Sequence, residues 1–135
     1  MAENQRRKYV RMIAIREPAK PAPRNDPQQE IEWMCECLGL GDERDQLAKE
    51  IFKSLVKAPR EGVTTREIKD KAHVTQGAVV YHMNIFMRSG LVVKDGRRYY
   101  FMRPSLDDTL NEIEQYMIRR MNLLREMARR LEQEM

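Results

Sequence analysis

Apolar residues recur at helical spacing in the segment that follows a proline-rich start. An amphipathic helix is predicted from Gln28 to Leu38, because the i, i+3, i+4, i+7 spacing is met by Ile31, Met34, Cys35 and Leu38. Asp26 is the expected cap and Pro27 the first helical residue, and Gly39 stops the helix. This helix is expected to be part of a core scaffold.

The next two segments are shorter and are separated by capping and breaking residues. A second helix is predicted to open at Asp42 and to end before Pro59, with one apolar face formed by Leu47, Ile51, Leu55 and Val56. A hydroxyl at Thr64 or Thr65 then caps a short helix that contains Ile68. Together these segments predict a compact helical scaffold.

A further helix and a hairpin follow. Thr75 can cap a helix that runs to about Ser89, where Gly90 ends it as a left-handed C-cap; its inward face is formed by Val79, Met83 and Phe86. A β-hairpin is predicted over 91–102, because Asp95-Gly96 lies between two β-rich runs. The order helix, short helix, turn, helix, hairpin is typical of a winged helix-turn-helix.

The segment from Leu106 to Met135 contains neither Gly nor Pro, which predicts one helix about 45 Å long. Its apolar stripe alternates spacings of four and three and is interrupted at Arg120. A small domain cannot cover the whole stripe, so a homodimer interface is predicted at Leu106, Leu110, Ile113, Met117, Met121, Leu124, Met127 and Leu131. The part up to Ile113 is also expected to pack on its own domain, and the alternative is that the entire helix folds back.

Prolines at four positions before residue 28 predict an extended arm, in which Tyr9–Ile15 is a candidate edge strand. The predicted organisation is a basic, proline-rich arm over 1–27, a winged helix-turn-helix domain over 28–103 and a dimerisation helix over 104–135. The fold class is therefore mainly α with a small β-hairpin (α+β).

Charge and composition narrow the function classes. The formal net charge is +4, but residues 1–27 carry +4 and residues 64–103 carry +5, the pattern of a surface that meets a polyanion. The longest apolar runs, such as Met12–Ile15, are far too short to cross a bilayer, and no signal peptide is expected after Arg6-Arg7-Lys8, which predicts a cytoplasmic protein. No nucleophile and base occur at readable spacing, so neither an enzyme nor a cofactor is predicted.

The run from Val74 to Phe101 resembles the winged helix-turn-helix of ArsR-type transcription regulators. The matching features are Val79, His82 and Met83 in one helix, the Ser89–Val92 exit, and a Gly-Arg hairpin that ends in an aromatic strand. The resemblance covers residues 43–103. It implies that the helix after Thr75 lies in a DNA major groove and that the hairpin, the wing, touches the backbone or the minor groove.

Metal-sensing members of that family use a C-x-C pair at the start of the helix before the recognition helix. In this chain that position is Thr64–Arg66, which contains no cysteine, and Cys35 and Cys37 lie elsewhere. The two cysteines are therefore expected to be small buried hydrophobic residues, and no metal site is predicted.

The outward face of the predicted recognition helix, with its N-terminus, presents Thr75, Gln76, Gly77, Val80, Tyr81 and Asn84. Gln and Asn amides can bond an adenine edge, and the hairpin adds phosphate-binding cations at Lys94, Arg97 and Arg98. The amides and guanidinium of Thr64, Thr65 and Arg66 can bind a phosphate at the start of the short helix, and capping alone is the alternative role of the two threonines. His82 either touches a phosphate or packs inside the domain.

These features predict a homodimeric regulator of transcription that binds specific sequences of double-stranded DNA in the cytoplasm. Two alternatives remain: a protein-interaction module that docks a partner on its last helix, and an RNA-binding protein of the same fold. The sequence does not identify an effector ligand, the operator or the sign of regulation.

Overall fold

The computed structural model describes residues 15–135, and within that range the chain is mainly helical with one small sheet. Five helices and three strands follow one another in the order α1 Pro27–Cys37, α2 Gln46–Lys57, β1 Val63–Thr64, α3 Thr65–Ala72, α4 Gln76–Arg88, β2 Val92–Asp95, β3 Arg98–Phe101 and α5 Leu106–Glu134. The mainly helical class with a small hairpin is confirmed.

Capping side chains fix where the helices begin. The predicted caps at Asp26 and Thr75 are confirmed: each accepts a hydrogen bond from the backbone N–H three residues later, at 3.1 Å in both cases. The predicted start of the second helix at Asp42 was wrong, because Asp45 caps α2 instead and Asp42 accepts a hydrogen bond from the Arg44 N–H in the turn before it.

The core lies where α1, α2, α4 and the sheet meet. Its largest fully buried side chains include Phe52, Phe86, Ile51, Leu55 and Met83. Phe52 packs edge-to-face on Phe101 of β3, which fastens α2 to the hairpin. The predicted inward face of α4 is confirmed, because Val79, Met83 and Phe86 are all completely buried.

The sheet is antiparallel in the order β1, β3, β2. The predicted hairpin is confirmed with a tighter turn than expected, because Lys94 and Asp95 still pair within β2 and leave only Gly96 and Arg97 to reverse the chain. Gly96 adopts φ +64°, a left-handed conformation that favours glycine. The two-residue strand β1 was not predicted; it sets Val63 opposite Tyr99.

The single long helix is confirmed as α5, but its two halves have different surroundings. Leu106 and Leu110 are half-buried against the core and Ile113 is only 2% exposed, so Ile113 is part of its own domain and is removed from the predicted dimer interface. Beyond it, every residue of α5 is exposed. About twenty residues, or roughly 30 Å of helix, therefore project from the domain.

Residues 15–26 contain no helix or strand and are bonded to α1 at two points. The indole Nε1 of Trp33 donates to the carbonyl of Lys20 at 2.9 Å, and the Arg16 N–H donates to the carbonyl of Cys37 at 2.8 Å. The candidate strand Tyr9–Ile15 lies outside the described residues except for Ile15, which is not in a strand. Among residues 15–135, none of the helices has the length and apolar character that a bilayer crossing requires.

Candidate nucleic-acid interface

A groove of about 620 Å³ opens where three elements meet: the start of α3, the first turns of α4 and the β2–β3 hairpin. It is lined by Thr64, Thr65, Arg66, Lys69, Gln76, Val80, Lys94, Arg97 and Tyr99. Six of the predicted DNA-binding residues are thereby brought together from segments as far apart as thirty positions in the chain. We call this surface the basic groove.

The basic groove is polar and strongly cationic. Four lining side chains, Arg66, Lys69, Lys94 and Arg97, carry positive charge and are exposed, and none of the described lining residues is acidic. Two threonines and the Gln76 amide add neutral hydrogen-bonding groups. A concave surface with charge of one sign concentrates electrostatic potential, so this groove attracts anions.

The wall formed by α3 is held against the hairpin through Thr64. Its hydroxyl caps α3 by accepting from the Glu67 N–H at 3.1 Å, while its backbone pairs with Arg98 of β3. On the opposite strand the Lys94 ammonium lies 5.5 Å from the centre of the Tyr99 ring, a cation–π contact. The start of α3 and the strand that carries Lys94 are thus both paired with β3.

The wall formed by α4 contributes Gln76 and Val80. Thr75, predicted as a DNA contact, is exposed and is engaged in capping α4. Gly77 and Tyr81 are also exposed beside the groove, with Tyr81 62% accessible. Asn84 is half-buried one turn further along the helix and does not line the groove.

Gly77 has no role in the packing of its own chain. A Cβ added there meets no atom within 4 Å, and its φ is not in the left-handed region. Glycine inside a helix costs about 0.5–1 kcal/mol relative to alanine. The helix therefore carries an unfavourable residue in its exposed first turn, beside the groove.

His82, for which a phosphate contact and a packing role were both predicted, is engaged within its own chain. Its Nε2 lies 3.0 Å from both carboxylate oxygens of Asp45, and its Nδ1 lies 3.0 Å from the Ala78 carbonyl. Both partners are acceptors, and the side chain is only 16% exposed. His82 therefore ties α4 to the N-terminus of α2, the packing role that was the alternative.

Arg98, predicted to belong to the phosphate-binding set, is exposed and bonds to groups of its own chain. Its guanidinium donates to the Glu61 carbonyl at 3.2 Å and to the Glu67 carboxylate at 3.4 Å. Arg98 does not line the groove. Adjacent strand residues face opposite sides of a sheet, and Tyr99 lines the groove, so the neighbouring Arg98 faces the other side.

Two groove residues were missed by the sequence reasoning. Lys69 follows Arg66 by three positions, so a helix that begins at Thr65 places both on one face, and this spacing was the available signal. Tyr99 belongs to an aromatic strand of which at least one residue was expected to pack in the core; it is 3% exposed, yet it also lines the groove.

The cysteines are separate from this surface. Cys35 is completely buried in α1, and burial, aided by the nearby Asp45 carboxylate, raises the pKa of its thiol to about 12. The thiolate is the form that binds metals, so this environment opposes metal binding. Cys37 is half-buried. Within residues 15–135, no three His, Cys, Asp or Glu side chains are grouped to hold a metal ion.

Comparison with known proteins adds no relative from which a function can be transferred. No family model, curated protein or solved structure matches this chain. The residues that converge on the basic groove are therefore the basis on which a function is assigned.

Proposed function

We propose that this protein is a homodimeric regulator of transcription that binds specific sequences in double-stranded DNA. The observation that carries the proposal is the basic groove, in which four cations from α3 and the hairpin flank the exposed N-terminal turns of α4. The fold around it has the element order of a winged helix-turn-helix, and the resemblance to ArsR-type regulators supports the same orientation on DNA.

The distribution of groups favours a nucleic acid over a single small anion. Arg66 and Lys69 come from α3, and Lys94 and Arg97 come from the hairpin, so the charges are distributed over two elements of the groove rather than gathered on one. Duplex DNA offers phosphates on both sides of its major groove, and a helix fits between them. In this arrangement the cations fix position on the backbone.

The exposed turn of α4 provides the groups that read bases. Gln76 can donate to and accept from an adenine edge, and Val80 and Tyr81 offer apolar contact to a thymine methyl. Gly77 lets the helix backbone come close to the DNA.

Double-stranded DNA fits this surface better than single-stranded RNA. Single strands are bound mainly by aromatic stacking, and the one aromatic residue that lines the groove, Tyr99, is almost completely buried. A helix-sized reader flanked by cations also has no access to the deep, narrow major groove of duplex RNA.

The test is the salt dependence of binding, measured by fluorescence anisotropy with duplex DNA, duplex RNA and single strands. Removing one phosphate contact reduces the slope of log affinity against log salt by about one. We expect this reduction for Arg97→Ala and Lys69→Ala, and no change for Lys57→Ala, which removes an exposed charge outside the groove. Unchanged slopes for both groove variants contradict the proposed interface, and tighter binding to RNA contradicts the proposed ligand.

Base reading is tested separately with a library of duplex sites. Gln76→Ala is expected to change the preference between sites by about 1–3 kcal/mol at one or two base pairs. A uniform loss of affinity across all sites shows instead that Gln76 contacts only the backbone.

A further inference from the structure

The projecting half of α5 has an apolar face that includes two charged positions. Its exposed apolar residues are Tyr116, Met117, Met121, Leu123, Leu124, Met127 and Leu131. Continuing the alternation of four and three along this face, the seam also contains Arg120 and Glu134. Any chain that covers the face must accommodate these two charges.

We infer that two copies of this chain pair along this face in antiparallel orientation, with Leu124 of one copy opposite Met127 of the other. The inference rests on the proposed homodimer and adds to it the orientation, the register and the resulting distance between the two domains.

Charge decides the orientation. In a parallel pair each residue faces its own equivalent, so Arg120 meets Arg120 and Glu134 meets Glu134 across the seam, where like charges repel. In the antiparallel pair Glu134 of the second copy lies opposite Met117, about one turn from Arg120. Two attractive pairs then replace two repulsive ones, because the twofold axis repeats the contact.

The conformation of Arg120 agrees with this arrangement. Its Nη2 donates to the Tyr116 hydroxyl at 3.0 Å, and its guanidinium lies 5.3 Å from the centre of that ring. The side chain is therefore directed back along the helix towards Tyr116 and Met117. This is the direction in which the antiparallel pair places Glu134 of the second copy.

The boundary of the domain sets the register. Ile113 is covered by its own domain, so the free seam begins near Tyr116. With Leu124 opposite Met127, Glu134 lies opposite Met117. A shift of one heptad in one direction places Glu134 opposite Leu110, which packs on its own domain, and a shift in the other direction places Glu134 opposite Leu124 in the middle of the apolar stripe.

The same register sets the separation of the two domains. The Ile113 positions of the two copies lie about 25 helical residues apart along the pair, or about 38 Å at 1.5 Å per residue. Successive major grooves on one face of DNA are about 34–36 Å apart. The two domains, one at each end of the helix pair, are thus spaced to meet two half-sites one turn apart.

Spin-label distances test the orientation. Cysteines are introduced singly in the full chain as Gln115→Cys, Asn122→Cys and Arg129→Cys, three exposed positions seven residues apart, in a Cys37→Ser background where Cys35 is buried. In the antiparallel pair the axial offsets are about 32, 10 and 10 Å, so the first label pair is farther apart by about 15 Å and the other two distances are equal.

The outcomes separate this inference from the proposed function. Three equal distances in a dimer overturn the antiparallel orientation and leave the dimer in place. A protein that is monomeric by sedimentation equilibrium at tens of micromolar overturns both the orientation and the dimer. DNA binding is measured on the same samples, so the basic groove is judged independently.

Charge reversal tests the register. Arg120→Glu is expected to weaken dimerisation about three- to tenfold, and adding Glu134→Arg is expected to restore it. Arg119→Glu, on an exposed position outside the seam, is the control and leaves the dissociation constant within about twofold. If the double variant is no tighter than the single one, Arg120 and Glu134 are not neighbours and the proposed register is wrong.

Discussion

Gly77→Ala should make the protein more stable and at the same time a poorer DNA binder. Gly77 lies in the first turn of α4, where its backbone is helical and an added Cβ meets no atom within 4 Å. The substitution therefore gains helix propensity with no steric cost, about 0.5–1 kcal/mol. For a folding unit of this size such a gain raises the Tm by about 2–8 °C.

The expected loss of DNA affinity has a different origin. A methyl group at Gly77 projects from the exposed N-terminal turn towards the bound duplex and holds the helix backbone away from it. Disturbing one close contact with DNA costs about 1 kcal/mol or more, which is a loss of fivefold or more in affinity. The opposite signs of the two effects are the signature of a glycine retained for an intermolecular contact.

Thermal unfolding and fluorescence anisotropy on the same preparation measure both effects. A Tm that falls contradicts the assignment of Gly77 as unstrained and unpacked. A Tm that rises with unchanged affinity for DNA shows that this turn does not approach the duplex closely. Gly77→Ser is a useful companion variant, because it adds the same Cβ as alanine together with a hydroxyl that can bond a phosphate.

Three further predictions concern other parts of the molecule. His82→Ala should lower the free energy of unfolding in urea by about 1–2 kcal/mol, because it removes the bond to Asp45. The slope of log DNA affinity against log salt should not change, and a slope reduced by one would show that His82 contacts a phosphate. Leu124→Asp, at a stripe residue that is 52% exposed, should weaken dimerisation at least tenfold in sedimentation equilibrium. Ile118→Asp is the control, because Ile118 is 46% exposed but lies outside the stripe, and equal effects of the two variants would exclude the stripe as the interface. A thiol reagent at neutral pH should leave Cys35 unmodified until the chain unfolds, because burial raises the pKa of its thiol; rapid modification of both cysteines in the native protein would contradict its buried position.

The elements of this fold were predictable where local chemistry determines them. Asp and Thr side chains cap helices whatever their tertiary surroundings, so the caps at Asp26 and Thr75 could be predicted. Asp95-Gly96 favours a turn for the same local reason. The start of α2 was not predictable in the same way, because Asp42 and Asp45 are both capable caps and only tertiary contact selects between them. Asp45 is the cap that forms, and His82, 37 residues away, hydrogen-bonds its carboxylate.

The sequence predicted which types of residue line the groove, but only some of the individual residues. Arg97 and Arg98 are neighbours in sequence, but Arg97 lies in the turn, whereas Arg98 is the first residue of β3 and alternates with Tyr99, which lines the groove. The short strand β1 decides which of them faces the groove, since it brings Glu61 and Glu67 within reach of Arg98. A two-residue strand has no periodicity, so this contact could not be read from the sequence.

The groove is held by contacts that do not involve its cations. The α3 wall is fixed to the hairpin through the backbone of Thr64, the hairpin by β2–β3 pairing, and the α4 wall by the completely buried Val79, Met83 and Phe86 together with the bond from His82 to Asp45. The exposed side chains of Arg66, Lys69 and Arg97 have no part in any of these contacts, whereas Lys94 also lies over the Tyr99 ring of the hairpin. Replacing them therefore changes the electrostatic potential of a preformed surface without changing its shape, and a loss of DNA binding in such variants reports on charge alone.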